Sequence, residues 1–263
     1  MHQARKRFGQ NFLHDEHVIQ QIGAATGIKA DHHAVEIGPG GGALTEVLLD
    51  TGARVTVIEL DRDLPPILRA RFFQVEPGRF NIIEADALKY DFSSISSPEA
   101  PIKLVGNLPY NISTPLIFHL MNYRACVQDM HFMLQKEVVD RICADPGSGT
   151  YGRLSVMVQY YCHAEKLFKV PPGAFTPQPK VDSAIIRLVP RAPQDCQADN
   201  PRQLETLVRL AFAQRRKTIR NNLKHHIDLE ALEAAGINPG ARPEVLSVSD
   251  FVNLSNQLTE VTP

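Results

Sequence analysis

Short apolar runs alternate with amphipathic stretches over the first 190 residues of the chain. Runs rich in Val and Ile predict buried strands, whereas apolar residues that recur every three or four positions predict helices. The predicted strands are residues 34–37, 54–60, 81–83, 102–105, 130–134, 166–170 and 181–189. The predicted helices are residues 15–27, 43–50, 64–73, 115–121, 136–144 and 154–161, and the last of these is ambiguous between helix and strand. Strands that alternate with helices favour an α/β fold with a mostly parallel sheet, covered on both faces.

The pattern changes beyond a polar, proline-containing segment at residues 190–201. Apolar residues at helical spacing follow it, at Leu204, Leu207, Val208 and Ala211. Residues 236–263 show short apolar groups without strand alternation. We therefore predict an α/β domain over residues 1–194 and a small all-α domain over residues 195–263.

Candidate binding residues follow the first three predicted strands, at the sheet edge where parallel sheets bind ligands. Gly38 and Gly40 lie in a strand-to-helix turn, where glycine lets the backbone approach a ligand closely. Glu59 ends the second strand and can accept hydrogen bonds from two ribose hydroxyls, with Asp61 as the competing candidate. Asp86 ends the third strand and can accept a bond from the amine of an adenine.

This glycine loop lacks the third glycine of the dinucleotide fingerprint, because Ala43 follows where that glycine would stand. A ligand with a single adenosine therefore fits the loop better than NAD. The alternative interpretations are an ordinary tight turn for the glycines, a solvated strand end for Glu59 and a turn cap for Asp86.

The segment Gly106-Asn107-Leu108-Pro109-Tyr110-Asn111 follows the fourth strand and is the most informative part of the chain. Pro109 fixes φ and stiffens the turn. Oδ1 of Asn107 and the carbonyl of Leu108 can accept the two N–H bonds of an adenine N6, and Tyr110 can stack on the base. The alternative is a plain Asn-x-Pro turn. The segment therefore points to methylation of an amino group on a base.

Residues 36–40 together with residues 107–110 resemble the class I S-adenosylmethionine-dependent adenine-N6 methyltransferases. Residues 7–13, 133–138 and 171–183 are similar to segments of the bacterial small-subunit rRNA adenine dimethyltransferases, and the similarity runs from about residue 5 to residue 225. The resemblance implies a Rossmann-like fold with a seven-stranded sheet, S-adenosyl-L-methionine as cofactor and 16S rRNA of the small ribosomal subunit as substrate.

The resemblance also implies roles for individual residues. The implied cofactor-binding residues are Asn11, Leu13, Gly38, Gly40, Glu59, Asp86 and Asn107. Phe175 would be a second aromatic residue against the target base, opposite Tyr110, and its alternative role is a hydrophobic anchor for the proline-rich loop. Gly41 stands where the family usually has Leu, and we expect this departure to loosen the loop.

The net charge of −1 does not indicate a nucleic-acid-binding protein, so RNA binding has to rest on local clusters. Arg5, Lys6 and Arg7 form one cluster. A second set has spacings that would share one helix face: Arg216, Lys217, Arg220 and Lys224. Both sets could contact RNA phosphates, although a run of charges is often only a solvated face.

Several classes of protein are disfavoured. The four cysteines and ten histidines show no metal-ligand spacing, and no segment has the length of a membrane helix. We expect a cytoplasmic monomer with reduced cysteines, without a metal or a membrane anchor. The functional alternatives are an adenine-N6 methyltransferase for large-subunit rRNA or DNA, a protein-glutamine methyltransferase, and a ribosome-assembly or transcription factor that keeps the fold without turnover.

Overall fold

The computed structural model describes residues 11–258 of the chain. It divides into two compact units. The first comprises Met1–Val139 and Glu165–Pro190, and the second comprises Asp140–Ala164 and Arg191–Pro263. Residues 140–164, which the pattern places in the α/β domain, thus group with the C-terminal helices. The domains at residues 1–194 and 195–263 stay a prediction, because compact units need not be the parts that fold independently.

The strands follow one another at intervals along most of the chain. They are β1 (Phe12–Leu13), β2 (His33–Ile37), β3 (Arg54–Glu59), β4 (Phe80–Glu84), β5 (Ile102–Asn107), β6 (Val127–Gln135), β7 (Cys162–Val170), β8 (Phe175–Thr176) and β9 (Ser183–Pro190). The helices are α1 (Glu16–Thr26), α2 (Ala43–Asp50), α3 (Leu64–Arg71), α4 (Ser113–Met121), α5 (Lys136–Ile142), α6 (Arg153–Tyr161), α7 (Pro201–Ala211), α8 (Ile219–Leu223), α9 (Leu229–Ala234) and α10 (Val248–Gln257).

The first unit is built on a seven-stranded sheet in the order β4-β3-β2-β5-β6-β9-β7. The pairs β3–β4, β2–β3, β2–β5 and β5–β6 are parallel, and β6–β9 is antiparallel. The prediction of a Rossmann-like, mostly parallel sheet is confirmed. The strand order reverses between β2 and β5, and the carboxyl ends at such a switch point form the crevice in which ligands bind.

Gly106 lets β2 and β5 approach at this switch point. It pairs with Ile37, and a Cβ at position 106 would lie 2.6 Å from the Ile37 carbonyl oxygen. A side chain there would force the two strands apart, so glycine is required by close approach rather than by φ.

The core of the first unit lies between helices α1 and α2 and the middle strands. Val18 and Ile22 of α1 and Leu48 of α2 pack with Val55 and Val105 from the sheet. Helix α1 begins where the sequence predicts, because the Asp15 side chain accepts a bond from the backbone N–H of Val18, and it ends at Gly27 in the left-handed conformation.

A second, two-stranded sheet joins β1 to β8, with Leu13 opposite Phe175. The sequence does not predict this pair, because two residues are too few to show alternation. It brings the start of the described chain to the proline-rich loop of residues 171–179, within the first unit.

The second unit holds α6 to α10. The ambiguous segment at residues 154–161 is helix α6. Asn200, Thr218, Asp228 and Ser247 cap the helices α7 to α10 through their side chains. Across residues 11–258, no helix is long and apolar enough to cross a membrane, and no group of His, Cys, Asp and Glu residues could hold a metal ion.

Candidate functional site

A cavity of about 1070 Å³ opens at the carboxyl edge of the sheet in the first unit. Its walls come from the ends of β2 to β5, from residues 11–14 and from the beginnings of α1 and α2. The cavity is large enough for a nucleoside-sized ligand with a second group beside it. It brings together every predicted cofactor residue: Asn11, Leu13, Gly38, Gly40, Glu59, Asp86 and Asn107.

The glycine loop between β2 and α2 forms one wall of this cavity. Gly38 and Gly40 have φ values of +70° and +56°, a backbone region that residues other than glycine rarely adopt. A Cβ on Gly40 would also lie 3.0 Å from the ring of Phe12. The loop therefore presents bare backbone to the cavity, as the sequence predicts.

Two carboxylates of the predicted set lie at the carboxyl ends of the neighbouring strands, Glu59 at the end of β3 and Asp86 just after β4. Glu59 is 7% exposed, and its Oε1 accepts a bond of 2.8 Å from the backbone N–H of Asp61. Burial raises the pKa of Glu59 above its usual value. The competing candidate Asp61 is buried and is not among the described residues that line the cavity. Asp86 is half-buried and caps a short turn through a bond of 3.0 Å from the backbone N–H of Leu88.

Glu36 is a further carboxyl group in the cavity wall, and the sequence predicts no role for it. It is 2% exposed, and the Thr45 hydroxyl donates to its Oε2 at 2.5 Å. Burial raises the pKa of Glu36 to about 7, the Thr45 bond opposes this, and the nearby charge of Glu59 adds to it. The carboxyl therefore changes its charge near neutral pH. In the sequence, only the position of Glu36, two residues before Gly38, could have indicated that it belongs to the site.

Asn107 is half-buried at the end of β5, and its side chain has a defined orientation. Its Nδ2 donates to the backbone carbonyl of Asn11 at 2.9 Å. A carbonyl can only accept, so this bond assigns the amide nitrogen to Asn11 and leaves Oδ1 as the acceptor for a ligand. The Leu108 N–H donates to the Met133 carbonyl at 3.2 Å, and no N–H group of the described residues donates to the Leu108 carbonyl.

Tyr110 lines the cavity next to these acceptors. Its hydroxyl forms a bond of 2.9 Å with Oγ of Ser183, which is fully buried in β9. The Pro109 carbonyl accepts bonds of 3.1 Å from the N–H groups of Ile112 and Ser113, so the turn continues directly into α4. The position of the Tyr110 ring is thus fixed by the backbone turn at one end and by the hydrogen bond of its hydroxyl at the other.

The structure does not bring Phe175 to the cavity. Its side chain is 1% exposed and packs in the hydrophobic core of the first unit, and it is not among the described residues that line the cavity. The cause is the β1–β8 pair, which places Phe175 opposite Leu13. This position is the one that the alternative interpretation, an anchor for the proline-rich loop, requires.

A buried charged group lies below the cavity and was also not predicted. Nζ of Lys103 lies 2.6 Å from Oδ2 of Asp129, and Nδ1 of His131, a cavity-lining residue, lies 3.4 Å from Oδ1 of Asp129. Burial acts to raise the pKa of Asp129, but the contacts with His131 and Lys103 outweigh it and hold that pKa below its usual range.

The predicted basic surface is only partly as expected. Arg216, Lys217, Arg220 and Lys224 are all exposed. A single helix face for them is wrong, because α7 ends at Ala211 and Thr218 caps a separate helix, α8. The predicted cluster Arg5, Lys6 and Arg7 lies outside the described residues. Arg215, which was not predicted, is also exposed and donates to the Gly149 carbonyl at 2.6 Å.

Two solved structures share this architecture. A crystal structure of a dimethyladenosine transferase from Plasmodium falciparum matches with a TM-score of 0.79 at 29% identity, covering 92% of this chain and 95% of that one. The crystal structure of the 23S rRNA methyltransferase ErmE matches with a TM-score of 0.74 at 28% identity, covering 95% of this chain and all of that one.

Similar proteins and a family description agree with these matches. Proteins named Ribosomal RNA small subunit methyltransferase A are 58% identical over 255 residues in Hahella chejuensis and 56% identical over 260 residues in Pseudomonas aeruginosa. They cover 97% and 99% of this chain, and the matches span 93% and 96% of their own lengths. The family described as Ribosomal RNA adenine dimethylase matches residues 1–260. The chain therefore belongs to the ribosomal RNA adenine dimethylase family.

Proposed function

We propose that this chain transfers methyl groups from S-adenosyl-L-methionine to N6 of two adjacent adenines of small-subunit (16S) rRNA, producing dimethyladenosines during ribosome biogenesis. Family membership and the relatives named small-subunit methyltransferase support this activity. The observation that carries it is the oriented amide of Asn107, a residue that lines the same cavity as the glycine loop. An acceptor of this kind is what an exocyclic amine requires.

The residues in the cavity fit S-adenosyl-L-methionine. Gly38 and Gly40 leave room for a ligand to lie directly against the backbone. Glu59 supplies acceptors of the kind that bind ribose hydroxyls, and Asp86 an acceptor for an adenine amine. Glu36 and Glu59 are buried carboxyl groups, and a positively charged ligand favours their ionised forms. When bound, the cofactor supplies an electrophilic methyl group and leaves as a neutral thioether.

The remaining chemistry is orientation of the target adenine. In our proposal, Oδ1 of Asn107 and the carbonyl of Leu108 accept the two amine hydrogens and thereby aim the N6 lone pair at the methyl group. Tyr110 stacks on the flipped base, a contact that contributes roughly 1–3 kcal/mol. The Ser183 bond fixes the plane of that ring before the base arrives. We assign no general base: the thioether leaves uncharged, and the methylated N6, which is then positively charged and strongly acidic, releases one proton to water after the transfer.

Dimethylation places a further demand on these acceptors. After the first transfer the amine has a single N–H bond, so one of the two acceptors loses its partner. Asn107 is anchored through its own nitrogen to Asn11, so its oxygen stays in place whichever acceptor is released. We expect this anchor to keep the amine aligned for the second transfer.

RNA binding is assigned to the exposed cations Arg216, Lys217, Arg220 and Lys224, with Arg5, Lys6 and Arg7 as a second set. Although the four cations of the first set do not share one helix, their exposure keeps them accessible to phosphates. A second candidate substrate is large-subunit rRNA, because the 23S rRNA methyltransferase ErmE has the same fold over 95% of this chain.

Transfer of a labelled methyl group separates these substrates. We would offer purified unmethylated small subunits, naked 16S rRNA, naked 23S rRNA and DNA in parallel, and locate the label by digestion to nucleosides. We expect N6,N6-dimethyladenosine in 16S rRNA. Label confined to 23S rRNA or DNA would replace the proposed substrate, and the absence of transfer to any of the four would leave a binding role instead.

A further inference from the structure

One side chain at the rim of the cavity joins three separate elements. Arg71 is the last residue of α3, and its Nη1 donates to the backbone carbonyl of Gly41 at 2.7 Å. Its Nη2 lies 2.6 Å from Oε2 of Glu46, in the first turn of α2. Its guanidinium carbon lies 5.5 Å from the ring centroid of Phe72. Arg71, Gly41 and Glu46 all line the cavity.

The two neighbours of Gly41 are held by packing, whereas Gly41 itself is not. A Cβ on Gly40 would lie 3.0 Å from the Phe12 ring, and a Cβ on Gly42 would lie 2.8 Å from the Phe72 ring. Gly41 is exposed, its φ is not in the left-handed region, and a Cβ there would have open space around it. Nothing in the geometry demands glycine at position 41, so its main effect is to add freedom to the loop.

We infer that Arg71 is a positioning residue that clamps the glycine loop in its ligand-binding conformation. Its bond to the Gly41 carbonyl restrains a residue of the loop around which a side chain would find open space, and Glu46 and Phe72 hold the guanidinium in place. A loop ordered before binding loses less entropy when the ligand arrives, so the clamp raises affinity without touching the reacting atoms. This inference rests on the proposed cofactor site.

The chain offers a matched control on the same helix. Arg69 lies two residues before Arg71 and makes a similar exposed ion pair, with its Nη2 2.7 Å from Oε1 of Glu84. Arg69 is not among the described residues that line the cavity, and its guanidinium donates to Glu84 instead of to the glycine loop. Arg71→Met and Arg69→Met thus remove the same charge from the same helix, and only the first removes the clamp.

The first measurement is made on the ligand-free protein. Hydrogen exchange at the backbone amides of residues 40–43 should speed up in Arg71→Met and stay unchanged in Arg69→Met. The second is the affinity for S-adenosylmethionine and S-adenosylhomocysteine by calorimetry. We expect Arg71→Met to weaken both by roughly 3- to 10-fold, since exposed charge-assisted contacts are individually modest. The value of kcat at saturating cofactor should be unchanged while KM for the cofactor rises.

A double-mutant cycle then links the clamp to Gly41. Gly41→Ala fits the observed backbone and should restrict the loop on its own. We expect it to recover much of the lost affinity in the Arg71→Met protein and to change the wild-type affinity little. Equal effects of Gly41→Ala in both backgrounds would overturn the inference, as would equal affinities and exchange rates for Arg71→Met and Arg69→Met. A wild-type protein that binds neither ligand would instead refute the proposed cofactor site, while the exchange measurement would still decide whether the clamp exists.

Discussion

Glu36→Gln tests the electrostatics of the cavity most directly. The wild-type carboxyl is fully buried, and burial raises its pKa from 4.5 to about 7. The folded protein therefore holds a proton on Glu36 between these values that the unfolded chain has already released. Stability from this group is fully present below pH 4.5 and is lost as the pH rises to about 7. A glutamine keeps an oxygen for the Thr45 hydroxyl but has no proton to lose.

The size of the effect follows from the shift. The difference of about 2.5 pKa units corresponds to about 3–4 kcal/mol over the whole titration, at roughly 1.4 kcal/mol per unit, of which about 3 kcal/mol falls above pH 4.5. We therefore expect the unfolding free energy of Glu36→Gln, measured relative to the wild type, to increase by about 3 kcal/mol between pH 4.5 and about pH 8. The difference between the two proteins cancels the titration of groups that do not interact with Glu36, and Glu59, whose charge acts on Glu36, is the exception.

Urea unfolding followed by circular dichroism gives both free energies, and an optical probe of this kind suits a chain without tryptophan. Glu76→Gln is the control, because Glu76 is exposed and its replacement should show no such trend. A stability difference between Glu36→Gln and the wild type that is flat across this pH range would refute the reasoning, since it would mean that position 36 is effectively solvated.

Three further predictions concern the proposed reaction. Asn107→Ala removes an amine acceptor, so we expect kcat to fall by at least about 100-fold while the affinity for cofactor changes little, as measured by methyl transfer and calorimetry. Tyr110→Ala should raise KM for the RNA by roughly 10-fold through lost stacking. Tyr110→Phe should keep most of the activity, because it loses only the bond to Ser183. Reversal of the exposed cations should weaken RNA binding and flatten its dependence on salt concentration, and the triple variant replaces Arg216, Lys217 and Arg220 with Glu.

Each of these has a clear contrary outcome. Near wild-type turnover by Asn107→Ala would remove the amide from the mechanism. Equal losses in both Tyr110 variants would show that the hydroxyl, not the ring, is what matters. An unchanged salt slope in the triple reversal would locate the RNA surface elsewhere. Arg54→Glu, at an exposed position at the start of β3, is the matched control for a charge reversal away from the proposed surface.

Most of the sheet could be predicted because its strands are buried. Each of the seven strands of the sheet contains an apolar run or an alternation that the sequence displays directly, and candidate residues at the strand ends come together because parallel strands share an edge. Gly38, Glu59, Asp86 and Asn107 were found in this way. The two-residue strands β1 and β8 could not be, because their pairing depends on contacts between distant parts of the chain.

Three local outcomes needed the tertiary structure. Residues three or four positions apart share a face only if they belong to the same helix. Thr218, which lies between Lys217 and Arg220, caps a new helix. Spacing alone does not reveal such a cap, so the prediction of one helix face fails. Phe175 is aromatic in either interpretation, and only its pairing with Leu13 decides that it is buried. Glu36 is an acidic residue in a strand, and its pKa is raised chiefly by burial under parts of the chain that the strand pattern does not contain.

The anchor between Asn11 and Asn107 has a consequence for how the protein is made. Residues 12 and 13 reach their place only by pairing with Thr176 and Phe175, which leave the ribosome more than 160 residues later. At about 5–20 residues per second, this is a delay of roughly 10–30 s. Asn107 itself is made 68 residues before Phe175, so its amide emerges roughly 3–14 s before the strand that supports its anchor is complete. We expect the nascent chain to acquire its proposed amine acceptor late, after most of the parallel sheet is already synthesised.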